Sequence, residues 1–244
     1  MSAPVVTRRV GHKGADLVAP GNTAASFHAA LDAGVDMIEF DVLPAYPDGQ
    51  GELYLAHDYT DVRRRRDDGS LLTLREGLEI FASEAFGAVE LDVDLKLPGY
   101  EDRAVAALRE HGLAERALIS TMERGSLAVL REIAPDMRIG WSIPKVRGNP
   151  LERRHTRYLA YVMALSYRAG LPAVTARALR AGKCDAIMCH HMLVTERLAT
   201  AVRDAGGELF VWTVDDAAQI RRLVAMGVAG VITNDPRLFD APAP

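Results

Sequence analysis

The stretch MIEFDV, residues 37–42, decides the fold. Side chains alternate across a strand, so Glu39 and Asp41 share one face while Ile38 and Phe40 share the other. An apolar face suits a covering helix layer, and a carboxylate face suits an inward-facing polar site. VELDVDLK, residues 89–96, repeats the pattern, with Glu90, Asp92, Asp94 and Lys96 on one side and Leu91, Val93 and Leu95 on the other. Strands of this kind recur along the chain, at 9–12, 37–42, 89–95, 117–121, 138–142, 185–189, 209–214 and 230–233. Helical periods separate them at 23–33, 101–111, 124–134, 195–205 and 216–226, several closed by a glycine such as Gly34, Gly112, Gly206 or Gly227. Eight strand–helix units predict a (β/α)8 TIM barrel. A doubly wound open sheet competes, but no G-x-G-x-x-G follows the first strand.

Two intervals interrupt the alternation. After Val42 the chain reads LPAYPDGQGE, too short for a parallel crossover. Asp48-Gly49 is a hairpin turn signal, so a β-hairpin insertion at about 43–57 is expected. Gly49 lies midway between Asp41 and His57, which would bring His57 level with Asp41 at the barrel mouth. Residues 143–170, rich in Arg and Tyr, form an expected excursion over the mouth together with an outer helix. The whole chain, 1–244, then reads as one domain.

Composition limits the function classes. Of 244 residues, 49% are hydrophobic and 25% charged, the balance of a folded globular protein. A net charge of −4 lacks the positive field of a nucleic-acid binder. Two cysteines, Cys184 and Cys189, are too few for a disulfide framework, and MSAPVVTRRV contains no signal-peptide core. No apolar run approaches the roughly 18 residues of a spanning helix. A cytoplasmic protein without stable membrane insertion is expected.

Two carboxylates facing inward from one strand repel each other and lose hydration unless a cation stands between them. With two such strands converging, a hard divalent ion, Mg²⁺ or Ca²⁺, is the natural counter-charge. His12 in VGHKG and His57 in YLAHD end strands beside it and supply a general acid and a general base. Lys13 and Lys96 add positive charge for an anionic substrate, and the set suits a phosphate ester. Arg63–Arg66, offset by Asp67 and Asp68, reads as a solvated loop. Arg147, Arg153, Arg154, His155 and Arg157 face water or help admit an anionic head group. His190 and His191 are taken as structural or specificity residues.

Together, HKG, APGNTAASF, GVDMIEFDV, PDG and LYLAHD resemble the N-terminal signature of the glycerophosphodiester phosphodiesterases, H-R-G, P-E-N-T, G-A-D-x-I-E-x-D-V, D-G and H-D. DLK is similar to the family's E-x-K strand, VWTVDD to W-T-V-N and GVAGVITNDP to G-I-I-T-D/N-x-P. The resemblance runs in order from Gly11 to Pro236. It implies a (β/α)8 barrel that hydrolyses a small-molecule glycerophosphodiester to glycerol 3-phosphate and an alcohol. It also implies that Glu39, Asp41 and Asp94 are metal ligands and that His12 and His57 are the acid–base pair. Lys13, Lys96 and Trp212 take the substrate-binding positions.

Three residues depart from the family pattern: Lys13 for arginine, Gly21 for the glutamate of P-E-N-T, and Asp94 for glutamate. Lys13 is expected to act as a point charge on the phosphate, with Gly21 widening the pocket beside it. Asp94, one methylene shorter, leaves the ion nearer its strand or in need of an extra water. Water and the substrate's own 2-hydroxyl both remain open as the nucleophile, as does the division of acid and base between the histidines. A lysophospholipid or sphingolipid phosphodiesterase, and a non-catalytic phosphodiester-binding barrel, are the rival functions.

Overall fold

The pleat alternation at 37–42 becomes part of a closed wall. The computed structural model describes residues 6–145 and 157–242. Its strands are β1 (Arg8–Gly11), β2 (Met37–Pro44), β3 (Leu53–Tyr54), β4 (Glu90–Leu95), β5 (Ala117–Thr121), β6 (Arg138–Ile143), β7 (Ala186–His190), β8 (Glu208–Trp212) and β9 (Gly230–Thr233). Neighbours run β1-β9-β8-β7-β6-β5-β4-β2, and β2 returns to β1 through Val10 opposite Met37. All of these pairs are parallel, so eight strands make the expected (β/α)8 barrel.

Helices α1 (Ala24–Asp32), α2 (Tyr59–Asp67), α3 (Leu74–Phe81), α4 (Glu101–Glu110), α5 (Arg124–Ile133), α6 (Arg157–Arg180), α7 (Glu196–Asp204) and α8 (Ala217–Met226) accompany the strands. The larger apolar core includes Ile38, Phe40, Leu91 and Val93, the faces of β2 and β4 opposite the carboxylates. A smaller cluster of Val10, Met37, Leu118, Ala186, Met188 and Phe210 fills the barrel interior. Space there is tight: a Cβ on Gly230 would lie 2.5 Å from the Phe210 ring, which leaves room for hydrogen alone at that position.

Three features differ from expectation. First, the hairpin strand pairs Leu43 with Tyr54 and Pro44 with Leu53, so its centre falls between Asp48 and Gly49. Continued inward, that register sets Ala56 opposite Asp41, one residue short of His57. The turn itself uses two left-handed glycines, Gly49 (φ 85°) and Gly51 (φ 80°). Second, Arg63–Arg66 lies inside α2, begun by the Asp58 carboxylate accepting from the Thr60 and Asp61 N–H groups. Third, α3 has a complete capping box, with Thr73 and Glu76 satisfying each other's backbone N–H, yet too short an apolar period to stand out in the sequence. Of the expected mouth excursion, 146–156 lies outside the described residues, including Arg147, Arg153, Arg154 and His155; 157–170 belongs to α6.

Candidate active site

Parallel register sets Glu39 beside Asp92 and Asp41 beside Asp94 on adjoining strands β2 and β4. One oxygen each from Glu39, Asp41 and Asp94 lies within 4.8 Å of the others. Ligand oxygens at 2.3–2.6 Å from one hard cation can stand about that far apart. Neighbouring groups fix the carboxylates. Glu39 Oε2 accepts from the Lys13 N–H at 2.8 Å, and Asp41 Oδ2 accepts from Asn22 Nδ2 at 2.9 Å. Asp41 Oδ1 is buried, meets the Lys96 ammonium off-axis and has no hydrogen bond. The same ammonium touches Asp94 Oδ2, so one lysine bridges two strands.

The charges do not cancel. Burial, reinforced by the neighbouring Asp41, holds the Glu39 carboxyl well above the usual carboxylate range. Burial also acts to raise Asp41, but Lys96, with smaller contributions from His57 and Lys13, outweighs it and holds this carboxyl low. Asp92, one layer deeper with Oδ1 unpartnered, is pushed up to about 7, chiefly by burial. Lost hydration also acts against the charge of the half-buried Lys96, yet Asp41, Asp94 and Glu39 keep its ammonium firmly charged. Hard oxygen donors from three carboxylates and a residual negative charge fit a divalent cation; thiol and imidazole donors are absent from the cluster.

His12 follows β1, its N–H donating to Thr233 O at 2.8 Å. Its Nδ1 is 2.6 Å from Asn234 Oδ1, and Asn234 Nδ2 donates to Asp215 Oδ2 at 2.6 Å. Asp215 thereby turns the amide oxygen toward the ring, so Nδ1 carries the proton and Nε2 keeps its lone pair. That Nε2 lies 3.8 Å from Glu39 Oε2, and burial lowers the affinity of the ring for a second proton. His57 sits differently. Its N–H donates to Asp61 Oδ2 at 3.3 Å, Nδ1 is 3.6 Å from Asp58 Oδ2, and the side chain is 54% exposed.

One small cavity of about 170 Å³, open to solvent, is lined by His12, Glu39, His57, Asp94, Lys96 and Trp212. Trp212 ends β8, its ring meets His190 edge-on at 5.0 Å, and its buried Nε1 has no partner. Lys13 instead lines an adjoining cavity with Asp16, Gly21, Asn22 and His57, so His57 stands where the two meet. Gly21 leaves no free width beside Lys13: a Cβ there would lie 2.5 Å from Asp16 Oδ1. Asp16 takes that space, accepting from the Gly21 N–H at 2.8 Å and facing Lys13 Nζ at 3.4 Å.

Sequence reasoning overlooked the supports. Asn22 is wholly buried at φ 57° and holds Asp41 twice, through Nδ2 and through the Asp41 N–H donating to its Oδ1 at 3.1 Å. The start of α1 at Thr23 was the available signal, since the residue before a capping threonine is pinned at a loop–helix junction. Asp215 and Asn234 fall within the VWTVDD and GVAGVITNDP matches, but nothing in the sequence pairs them with each other or with His12.

The match to the glycerophosphoryl diester phosphodiesterase family model covers residues 81–238, well over half of the chain. The chain belongs to this family. A glycerophosphodiester phosphodiesterase of Caldanaerobacter subterraneus subsp. tengcongensis is 27% identical over 93% of this chain and 93% of its own. Among solved structures, the fold is similar to a glycerophosphodiester phosphodiesterase of Agrobacterium tumefaciens, at 22% identity and TM-score 0.70 over 97% of this chain and all of that one. It is also similar to an Oleispira antarctica phosphodiesterase in complex with the product sn-glycerol-3-phosphate, at 19% identity and TM-score 0.67, covering 95% and 96%. Among the described residues, no helix is long and apolar enough to cross a membrane.

Proposed function

We propose that this family member hydrolyses glycerophosphodiesters to glycerol 3-phosphate and an alcohol, with a divalent cation held by Glu39, Asp41 and Asp94. The observation that carries the proposal is the shared cavity, where Glu39 and Asp94, backed by the buried Asp41 of the same cluster, share one space with two imidazoles, Lys96 and Trp212. The cation, Mg²⁺ or Ca²⁺, supplies positive charge that polarises a phosphate oxygen. Lys96 adds charge from the same floor, and the unpaired Trp212 Nε1 offers a hydrogen bond to a glycerol or phosphate oxygen. His12, with Nε2 free, takes a proton from the nucleophile. His57, at the junction of the two cavities, gives one to the departing alcohol. Lys13 steers the anionic substrate from the side cavity. Two buried free thiols accord with a reducing cytoplasmic compartment.

The test is turnover of glycerophosphocholine with and without chelator. Activity lost on chelation and restored by Mg²⁺ or Ca²⁺ is expected; full activity in chelator would remove the cation from the reaction, and no turnover would favour a binding protein. A second reading, action on lysophospholipid or sphingolipid, draws support from loop residues after β1, β2 and β7. There Leu17, Tyr46 and Met192 are 65%, 61% and 62% exposed, at the end of the barrel that bears the cavity. Faster turnover of lysophosphatidylcholine than of glycerophosphocholine would establish it.

A further inference from the structure

Among the described residues, the proposed chemistry leaves one buried cation unused. Arg65, on the inner side of α2, is 2% exposed, the first among the largest fully buried side chains. Buried guanidinium groups ordinarily meet a carboxylate directly. Here the short contacts are to backbone carbonyls. Nη1 donates to Leu55 O at 2.6 Å, while Nη2 donates to Asn22 O at 2.5 Å and Ser70 O at 2.8 Å. Asp61 Oδ2 lies farther off, 3.7 Å from Nη1.

These partners belong to three separate segments, and two of them lead into the site. Asn22 clasps Asp41 through both ends of its amide. Leu55 precedes His57 by two residues, and Asp61, which faces the guanidinium, receives the His57 N–H. A planar fork with five N–H donors can span such carbonyls; an ammonium, a single point of charge, cannot reach all three. An apolar side chain would fill the volume without the desolvation penalty, so a purely packing role does not explain the choice of arginine.

We propose that Arg65 is a positioning residue that sets Asn22, and through it Asp41, in register with the segment between β3 and α2 that carries His57. The inference rests on the functional reading above. It places the connection between the cation site and the acid–base pair in a residue that touches neither substrate nor ion.

Arg65→Lys, Arg65→Met and Arg65→Ala would be compared with wild type and with Arg63→Met, an exposed neighbour. Mg²⁺ and Ca²⁺ affinity would be measured by calorimetry, glycerophosphocholine turnover by steady-state kinetics, and folding by circular dichroism. The expected result for folded Arg65→Lys is about tenfold weaker cation binding, as for other supports of metal ligands. A comparable fall in kcat with little change in KM is expected alongside it. Arg65→Ala should recover part of both on adding guanidinium ion, and Arg63→Met should match wild type. Folded Arg65→Lys with unchanged cation affinity and kcat would overturn the inference. So would loss of the fold in every Arg65 variant, which would mark a structural residue. Wild-type protein that neither binds the cations nor turns over substrate would sink the functional reading instead, a distinct outcome.

Discussion

The two ends of the barrel use the same residue types to opposite effect. At the N-terminal end Arg8, Glu90, Arg138 and Glu208 come from β1, β4, β6 and β8, alternate strands around the wall. They form a closed ring in which each arginine bridges both glutamates at 2.6–2.9 Å. Burial acts to raise the Glu90 carboxyl, but Arg138 and Arg8 outweigh it and hold it below the ordinary range. Four residues on, along the same face of the same strand, Asp94 meets Asp41 and Glu39 with Lys96 as the one cation among them. Charge that balances within the fold does structural work. Charge left unbalanced in a buried place is held for something that arrives.

The largest predicted effect separates chemistry from stability at the mouth. His12→Ala and His57→Ala should each lower turnover by about 10²–10⁴-fold, the range for a general acid or base, with melting temperatures close to wild type. A variant that keeps full activity removes its histidine from proton transfer.

A smaller effect contrasts the two ends by pH. Asp92 has a folded pKa of about 7, above its unfolded value, so between the two the folded protein holds more protons than the unfolded one. Its contribution therefore weakens stability progressively as pH rises from about 4 to 7. Glu90 behaves in the reverse sense, since its depressed pKa gives stability above the ordinary carboxylate range that is lost as pH falls through the folded value. In chelator, Asp92→Asn should be more stable than wild type at pH 8, by about 1–2 kcal/mol after relaxation, with the gap closing toward pH 4. A constant gap across that range would show that Asp92 does not titrate as its surroundings imply.

The smallest effect tests the ring. Arg138→Met breaks two bridges among half-buried side chains and should cost about 1–2 kcal/mol in denaturant unfolding. Turnover at the far end should be unchanged, and a fall in kcat would mean that the two ends are mechanically joined.

Much of this contrast could be read from the sequence because period-two alternation reports faces. MIEFDV and VELDVDLK place Glu39, Asp41, Asp94 and Lys96 on the inner wall with no further information, and the strand positions follow. His57 was harder, since its height depends on whether a hairpin centres on a residue or between two. Arg65 was hidden for a different reason. Four consecutive arginines beside two aspartates look solvated, and burial through distant carbonyls leaves no periodic trace. Gly21 and Asp16 show a similar limit: the loss at one position is made good five residues earlier, which becomes visible once the loop is folded.

The ring of Arg8, Glu90, Arg138 and Glu208, backed by the apolar plug around Val10 and Phe210, makes the barrel a blind alley. Whatever enters to be cut must leave by the doorway it came through. Each turnover is therefore a sequence of arrivals and departures at one threshold, and a product that lingers there bars the next molecule by its mere presence.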